Sequence, residues 1–195
     1  MDLPAKYESQ PVEERWYQEW IKQNISHSDP NLNQPPFIIV IPPPNVTGSL
    51  HMGHALDNVL QDAVIRFKKM CGYNTLWVPG TDHGGIATQN VIERLLKKEG
   101  LSRNKLGREK FLARMWQWRT ETGDTILQQL RRLGCSCDWE RVRFTMDETC
   151  TRAVNAAFIK LFDRDVIYRG KRIVNWCVHC HTALADIEVE HQEVK

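Results

Sequence analysis

The sequence has 195 residues, of which 42% are hydrophobic and 26% charged, so an ordinary folded chain is expected, with one domain and at most the start of another. Its longest apolar run, at 37–44, is much shorter than the roughly 20 residues that cross a bilayer, and residues 1–10 lack the features of a targeting peptide. These observations exclude a membrane protein and favour the cytosol. The net charge of +2 creates no global field that would attract nucleic acid.

The first predicted element is a peripheral helix. Pro11 stands where the first turn of a helix tolerates proline, Ser9 can serve as its cap, and apolar residues recur at helical spacing through Asn24. Residues 24–36 are rich in Ser, Asn, Asp and Pro and show no periodicity, which predicts a linker.

A strand, a helix and a second strand follow the linker. The run FIIVI at 37–41 is β-branched or aromatic throughout, which predicts a central parallel strand buried on both faces. A helix is predicted over 52–70 and closed by Gly72, with an apolar face formed by Ala55, Leu56, Val59, Leu60, Ala63, Val64 and Phe67. The run TLWV at 75–78 predicts a second strand, reached by a right-handed crossover.

The fold class that this unit predicts is α/β, as one half of a Rossmann-like parallel sheet with helices on both faces. Further helices are predicted over 86–98, 108–133 and 147–162, and another strand over 171–176. The sequence contains no internal repeat and no low-complexity segment.

The candidate ligand site is the loop at 42–50 together with the start of the helix that follows it. Ligands of open α/β sheets bind beyond the carboxyl ends of the strands, and this loop leaves such an end. A helix N-terminus carries charge equivalent to roughly +0.5, which favours phosphate. His51 and His54, three residues apart, place both imidazoles on one face at that end. Gly53 costs a helix about 1 kcal/mol relative to alanine, and it removes a side chain where a base or ribose could approach.

Two long motifs resemble a known family. The string PPPNVTGSLHMGH at 42–54 resembles the first signature of class I aminoacyl-tRNA synthetases, and it matches the valyl form best. The string WVPGTDHGGIATQ at 77–89 resembles the second strand and substrate loop of the valyl enzymes. The resemblance continues through 174–176 and 182–190 and so covers most of residues 8–195. It implies a catalytic domain that activates valine with ATP and magnesium to valyl-adenylate and then transfers valine to tRNA(Val).

The resemblance also assigns residues to ATP. His51 and His54 stabilise charge on the ATP phosphates while the valine carboxylate attacks the α-phosphate. Gly53 belongs to the same ATP-binding turn. Asn45 and Thr47 hold phosphate or carboxylate oxygens, and the alternative for either is a cap of the turn.

A second set of residues is assigned to the amino acid. Asp82 pairs with the α-ammonium, and its structural alternative is a turn or an N-cap for the helix predicted from residue 86. Pro43, Pro44 and Asn45 line the amino-acid pocket. Trp77 is either part of that pocket or plain core.

One pair of cysteines has metal-ligand spacing. Cys177 and Cys180 form the knuckle of half a zinc site, with the neighbouring histidines as spare ligands. A closed site needs further ligands, which Cys135 and Cys137 supply only if the fold brings them near. The alternative is a pair of idle thiols.

The resemblance divides the chain into a helix and linker over 1–36, the first half of the catalytic domain over 37–170, and the start of a connective or editing insertion over 171–195. The family's second signature, Lys-Met-Ser-Lys-Ser, does not occur, so the chain is expected to be the amino-terminal part of an enzyme that is monomeric when complete, and to charge little or no tRNA alone. Two other interpretations stay open: a smaller nucleotidyltransferase of the same fold, and a non-catalytic RNA-binding or zinc module derived from a synthetase.

Overall fold

The computed structural model describes residues 6–193, which divide into two units, one ending at Thr151 and the other beginning at Arg152. Residues 1–5 and 194–195, which belong to the first and last segments expected from the sequence, lie outside the described residues. The domain bounds expected at residues 36 and 170 stay predictions.

Helix α1 spans Ser9–Lys22, as the sequence predicts. No side chain caps it, so Ser9 is the first helical residue and not the predicted cap. The hydroxyl of Tyr17 donates to the carbonyl of Cys135 at 3.0 Å and accepts from the indole of Trp139 at 2.9 Å. These bonds fasten α1 to the rest of the first unit, and burial raises the pKa of Tyr17 far above its ordinary value.

The predicted strand, helix and strand are confirmed. Strand β1 at Pro36–Val40 and strand β2 at Asn74–Val78 pair in parallel, and helix α2 at Met52–Met70 connects them. Gly72, with φ of 85°, follows α2 in the left-handed conformation that favours glycine.

The chain then forms further short and long elements in the first unit. Strand β3 at Gly80–Thr81 is followed by helices α3 at Gly85–Lys98, α4 at Arg103–Leu106 and α5 at Arg108–Arg132. Strand β4 at Arg143–Phe144 pairs in parallel with β3. Helices α3 and α5 confirm the predictions, whereas β3, β4 and α4 are too short to have been recognised from the sequence.

The core of the first unit lies against one face of the β1–β2 sheet. Trp77, which is 1% exposed, packs there with Ile65 of α2 and Ile126 of α5. Among the described residues the opposite face of β1 is open, with Ile38 and Val40 60% and 68% exposed. The prediction that β1 is buried on both faces is therefore wrong for this structure, because the side chains of α2 and α5 that pack on this sheet, such as Ile65 and Leu130, lie on the Trp77 face.

Helix α2 turns partly buried polar side chains, and not the apolar face predicted from its periodicity, toward the interior of the first unit. The side-chain oxygen of Gln61 accepts from the indole of Trp77 at 3.1 Å, and the carboxylate of Asp62 accepts from the N–H of Ser136 at 2.8 Å. Because these groups find partners inside the unit, α2 turns its larger apolar residues outward. Five of them are 44–64% exposed: Leu56, Val59, Leu60, Val64 and Phe67.

Helix α6 at Glu148–Asp163 runs across the boundary between the units and confirms the last predicted helix. In the second unit, strands β5 at Asn175–Cys177 and β6 at Thr182–Leu184 form an antiparallel hairpin. The strand predicted over 171–176 begins four residues later in the structure, at Asn175. The reason is that β6 has only three residues with which β5 can pair. Among residues 6–193, no helix has the length and apolar character needed to cross a bilayer.

Candidate active site

The loop between β1 and α2 is anchored by α5. The indole N–H of Trp118 donates to the carbonyl of Val46 at 2.7 Å, and the side-chain oxygen of Gln129 accepts from the N–H of Leu50 at 2.9 Å. Val46 itself is 1% exposed, so its side chain adds a hydrophobic anchor. The loop that the sequence singles out is therefore held in place by the protein's own contacts.

The loop after β2 is joined to this first loop by backbone pairing. The N–H of Asp82 donates to the carbonyl of Pro44 at 2.8 Å, and the N–H of Val46 donates to the carbonyl of Asp82 at 3.0 Å. Asn45 consequently lies opposite Asp82 in a parallel bridge. The fold thus brings together two residues that the sequence assigns to substrate, beyond the carboxyl ends of neighbouring parallel strands.

Gly84 permits the close approach of these two loops. It has φ of 47°, in the left-handed region, and a Cβ placed on it would lie 2.8 Å from the side-chain amide of Asn45. Gly84 is also the N-cap residue of α3. The structural alternative for Asp82, an N-cap of that helix, is therefore not what the structure shows.

The two histidines at the start of α2 lie side by side. Their ring centroids are 3.9 Å apart. His51 is the N-cap residue and its Nδ1 accepts from the N–H of Gly53 at 3.1 Å, while Nδ1 of His54 accepts from the N–H of His51 at 3.3 Å. Because both Nδ1 atoms accept, each neutral ring carries its hydrogen on Nε2. The pair therefore offers two N–H donors at a helix N-terminus.

Gly53 makes room for the ring of His51. A Cβ on Gly53 would lie 3.0 Å from Cε1 and 3.1 Å from Nδ1 of that ring, closer than almost all real contacts of this kind. The glycine expected from the sequence to make room for a nucleotide thus also makes room for the neighbouring imidazole. This contact gives a second reason for a glycine inside the first turn of the helix.

The surroundings of His54 favour its neutral ring until an anion arrives. The pKa of His54 is lowered from its ordinary value, first by desolvation and then by repulsion from His51. A phosphate beside the rings would favour their charged forms, because it supplies the opposite charge. His54 can therefore act as a neutral donor that gains positive charge when an anion binds beside it.

The remaining residues assigned from the sequence differ in their surroundings. Pro44 is buried, whereas Pro43 and Asn45 are exposed on the loop. The N–H of Thr47 donates to the carbonyl of Asn45 at 2.8 Å within a turn. Trp77 belongs to the core cluster, so the core interpretation of this residue is the one that the structure supports.

Two residues that sequence reasoning missed lie beside Asp82. Thr145 donates to Oδ1 of Asp82 at 2.8 Å across 63 residues of sequence, and Nδ1 of His83 lies 3.1 Å from the same oxygen. Thr145 reaches the site because β4 pairs with β3, and a pairing of two residues leaves no pattern in the sequence. His83 could have been found from its position next to Asp82.

The cysteine pair lies in the second unit at the turn of the β5–β6 hairpin. The N–H of Cys180 donates to Sγ of Cys177 at 3.3 Å, and this bond is the main cause that lowers the pKa of Cys177. By contrast, Cys135 and Cys137 are buried in the core of the first unit, where desolvation raises the pKa of Cys135 to about 12 and that of Cys137 still higher. Such buried thiols are poor ligands, and zinc binding stays a prediction.

One group of three potential metal ligands occurs among residues 6–193, namely His27, Asp138 and Glu140. Nδ1 of His27 lies 3.3 Å from an oxygen of each carboxylate. Arg141 already pairs with the buried Asp138 and also donates to the carbonyl of Ser28 at 3.0 Å. The ion pair of Arg141 with Asp138 and the bond from Arg141 to Ser28 therefore fasten the linker after α1 to the first unit.

Comparison with known sequences identifies similar proteins. Residues 15–195 match the profile of the family described as tRNA synthetases class I (I, L, M and V). A valine–tRNA ligase of Syntrophotalea carbinolica is 59% identical over 193 residues, which are 99% of this chain and 22% of that protein. A valine–tRNA ligase of Thermus thermophilus is 58% identical over 190 residues, which are 97% of this chain and 22% of that protein. The chain thus spans about a fifth of the length of the curated relatives that it matches.

Comparison with solved structures identifies a similar fold. The LeuRS of Agrobacterium radiobacter K84, solved as a ternary complex with tRNA and LeuAMS, superposes with a TM-score of 0.76. The match covers 93% of this chain and 21% of that chain at 23% sequence identity. At this identity the likeness shows the fold alone, and it confirms the predicted α/β class.

Proposed function

The chain belongs to the class I tRNA synthetases (I, L, M and V), and from this premise we propose that it forms the part of a valine–tRNA ligase that binds ATP and valine. The reaction is the formation of valyl-adenylate from valine and ATP, followed by transfer of valine to tRNA(Val). The observation that carries the proposal is the pairing of two loops, one leading into the histidine pair and the other bearing Asp82.

The activation step needs stabilisation of phosphate charge. An oxygen of the valine carboxylate attacks the α-phosphorus of ATP, the bond to the bridging oxygen breaks, and pyrophosphate leaves. His51 and His54 offer their Nε2–H groups to the phosphate oxygens, and the N-terminus of α2 adds its positive end. Magnesium accompanies ATP as MgATP. The two histidines act by positioning and electrostatics, because the step requires no covalent bond to the protein.

The amino acid is held on the neighbouring loop. The carboxylate of Asp82 is one-third exposed and can accept from the α-ammonium of valine. Asn45 lies opposite Asp82, and its amide and Thr47 are available to phosphate or carboxylate oxygens. Pro43 contributes exposed apolar surface for the side chain of valine, and the buried Pro44 supports the loop behind it. This placement directs the carboxylate of valine toward the ATP side of the site.

Four further expectations, on the tRNA partner, the oligomeric state, the cellular location and a metal ion, belong to the same proposal. The tRNA(Val) partner, the monomeric state, the cytosolic location and a zinc ion at Cys177 and Cys180 follow from the resemblance or from residue patterns. Each stays a prediction, and none is needed for the chemistry assigned to the histidine pair and Asp82.

Exchange of pyrophosphate into ATP tests the proposed function. The full-length protein that carries this sequence is expected to exchange labelled pyrophosphate into ATP when valine is supplied. His54→Ala should lower the rate about 10²–10³-fold, the loss expected when one preorganised donor to a developing charge is removed. An unchanged rate in this variant would contradict the role of His54.

Two controls make this experiment specific. His191→Ala removes an exposed histidine far along the chain from the loop and should leave the exchange rate unchanged. Isoleucine should support much less exchange than valine. Equal exchange with the two amino acids would overturn the valyl assignment, and the absence of exchange with any amino acid would overturn the enzymatic one.

A further inference from the structure

One hydroxyl group lies at the centre of the contacts around Asp82. Oγ1 of Thr145 donates to Oδ1 of Asp82 at 2.8 Å and accepts from the backbone N–H of His83 at 2.9 Å. Nδ1 of His83 lies 2.7 Å from the same hydroxyl and 3.1 Å from Oδ1 of Asp82. Thr145 therefore contacts a carboxylate, a backbone amide and an imidazole at the same time.

Counting hydrogens settles the direction of these bonds. A threonine hydroxyl has one hydrogen, and an ionised carboxylate can only accept, so the hydrogen of Thr145 points to Asp82. Nδ1 of His83 must then carry a hydrogen, because its lone pair would otherwise face two oxygens that offer it none. The neutral ring of His83 consequently has an unprotonated Nε2, the opposite form to that of His51 and His54.

The position of Thr145 is fixed by the backbone on both sides. Its N–H donates to the carbonyl of Thr81 at 3.2 Å, as a continuation of the β3–β4 pairing. Two residues further on, the carboxylate of Asp147 accepts from the N–H of Phe144 at 3.3 Å and from that of Cys150 at 2.7 Å. The hydroxyl is therefore presented by a strand pair and by the capped start of α6.

We propose that Thr145 is a positioning residue for amino-acid binding, which acts with His83 by occupying Oδ1 of Asp82 and leaving Oδ2 to accept the α-ammonium group. This inference rests on the proposed role of Asp82. A carboxylate that is held in one rotation presents a single oxygen in a defined direction, so less orientational freedom is lost when the ligand binds. The ligand class selected in this way is a compound with a protonated primary amine next to a carboxylate.

Steady-state kinetics of the full-length protein test the role of Thr145. Thr145→Val should raise KM for valine about tenfold or more and change kcat by less than about threefold, because it removes a hydrogen bond to a charged group that binds the amino acid. Thr145→Ser keeps the hydroxyl and should restore KM. Thr125→Val makes the same chemical change at an exposed threonine of α5, whose hydroxyl bonds only to its own helix, and should leave KM unchanged.

A variant of Asp82 separates this inference from the proposed function. If Asp82→Asn raises KM strongly and Thr145→Val does not, the role of Thr145 is overturned and that of Asp82 stands. If Asp82→Asn leaves KM unchanged, the role of Asp82 itself is overturned. In the 195-residue chain, nitrogen NMR of labelled His83 should find the hydrogen on Nδ1. A hydrogen on Nε2 alone would overturn the assigned contact, whatever the kinetics show.

Discussion

The imidazoles at the start of α2 each use one ring nitrogen for the protein and leave the other for a ligand. Nδ1 of His51 and Nδ1 of His54 accept from backbone N–H groups, so both Nε2 atoms stay available as donors. Asp82 is used in a similar way, because Thr145 donates to one carboxylate oxygen and leaves the other available to a ligand. Local folding contacts therefore decide which atom of each functional group can meet a substrate.

The titration of His54 tests the anion site. In the free chain its pKa should lie below the ordinary value, because desolvation and His51 both disfavour the charged ring. Inorganic pyrophosphate should raise this pKa, since the anion favours the charged form. By linkage, pyrophosphate should bind more tightly as pH falls through the range in which His54 takes up its proton. Proton NMR of the histidine ring, with and without pyrophosphate, measures both effects.

A matched variant separates the two causes of this shift. His51→Ala removes the neighbouring ring and should move the pKa of His54 toward its ordinary value, because the second cause is lost. A pKa of His54 that pyrophosphate does not change would contradict phosphate binding at the start of α2.

At the scale of elements, the site depends on how closely the loop after β1 approaches the start of α3. Gly84 is the point of contact, with its left-handed backbone and the side chain of Asn45 where a Cβ would stand. Gly100, just beyond α3, has a similar φ of 73° but no atom within 4 Å of such a Cβ. The two glycines therefore share a backbone requirement and differ in the packing around them.

Replacing each glycine by alanine separates the effect of the left-handed backbone from the effect of the contact with Asn45. Both Gly84→Ala and Gly100→Ala should lower the free energy of unfolding, by about 1–2 kcal/mol for the left-handed backbone. Gly84→Ala should lower it further and should also raise KM for ATP or valine in the full-length protein, because Asn45 must move. Chemical denaturation and steady-state kinetics provide the two measurements. Equal effects of the two substitutions would show that the contact with Asn45 is unimportant.

At the scale of the whole molecule, the first unit leaves much apolar surface in solvent. Five large side chains of β1 and α2 are 57–68% exposed among the described residues: Ile38, Val40, Leu56, Leu60 and Phe67. Extended apolar patches are uncommon on monomeric proteins and promote association. The buried side of α2, in contrast, is built from Asn58, Asp62 and Ile65 with their partners.

Substitutions on the two sides of α2 should therefore behave differently. The double change Leu56→Gln and Leu60→Gln should reduce self-association of the 195-residue chain, measured by analytical ultracentrifugation, and leave the unfolding midpoint nearly unchanged. Ile65→Gln, at a residue that is 3% exposed, should lower the free energy of unfolding by about 2–5 kcal/mol. Self-association that survives the double change would show that this surface does not cause it.

The sequence predicts elements better than it predicts their faces and long-range contacts. The bounds of α2 follow from its periodicity and from Gly72, and they match the structure. The face that it buries does not follow from its apolar pattern, because the partners of Gln61 and Asp62 come together only in the folded chain. Thr145 could not be connected with Asp82, since the strand pair that joins their segments is two residues long.

For the candidate site too, the sequence predicts the local motifs but not the contacts between them. His51, His54, Asn45 and Asp82 were named from two long motifs that resemble a known family, and each motif continues beyond the end of a strand. The structure adds what a motif cannot contain, namely the hydrogen-bonding state of each ring and the bridge between Asn45 and Asp82. The binding roles of these residues stay predictions that the experiments above address.

The bridge between Asn45 and Asp82 also constrains the thermodynamics of the two ligands that we propose for this site. Since the backbone of Asn45 and that of Asp82 are paired, a displacement of one loop by its ligand is transmitted directly to the other. Coupling between two binding equilibria is reciprocal. If ATP and valine bind here as proposed, the factor by which ATP changes the affinity for valine equals the factor by which valine changes the affinity for ATP. The short bridge is a physical route for this coupling.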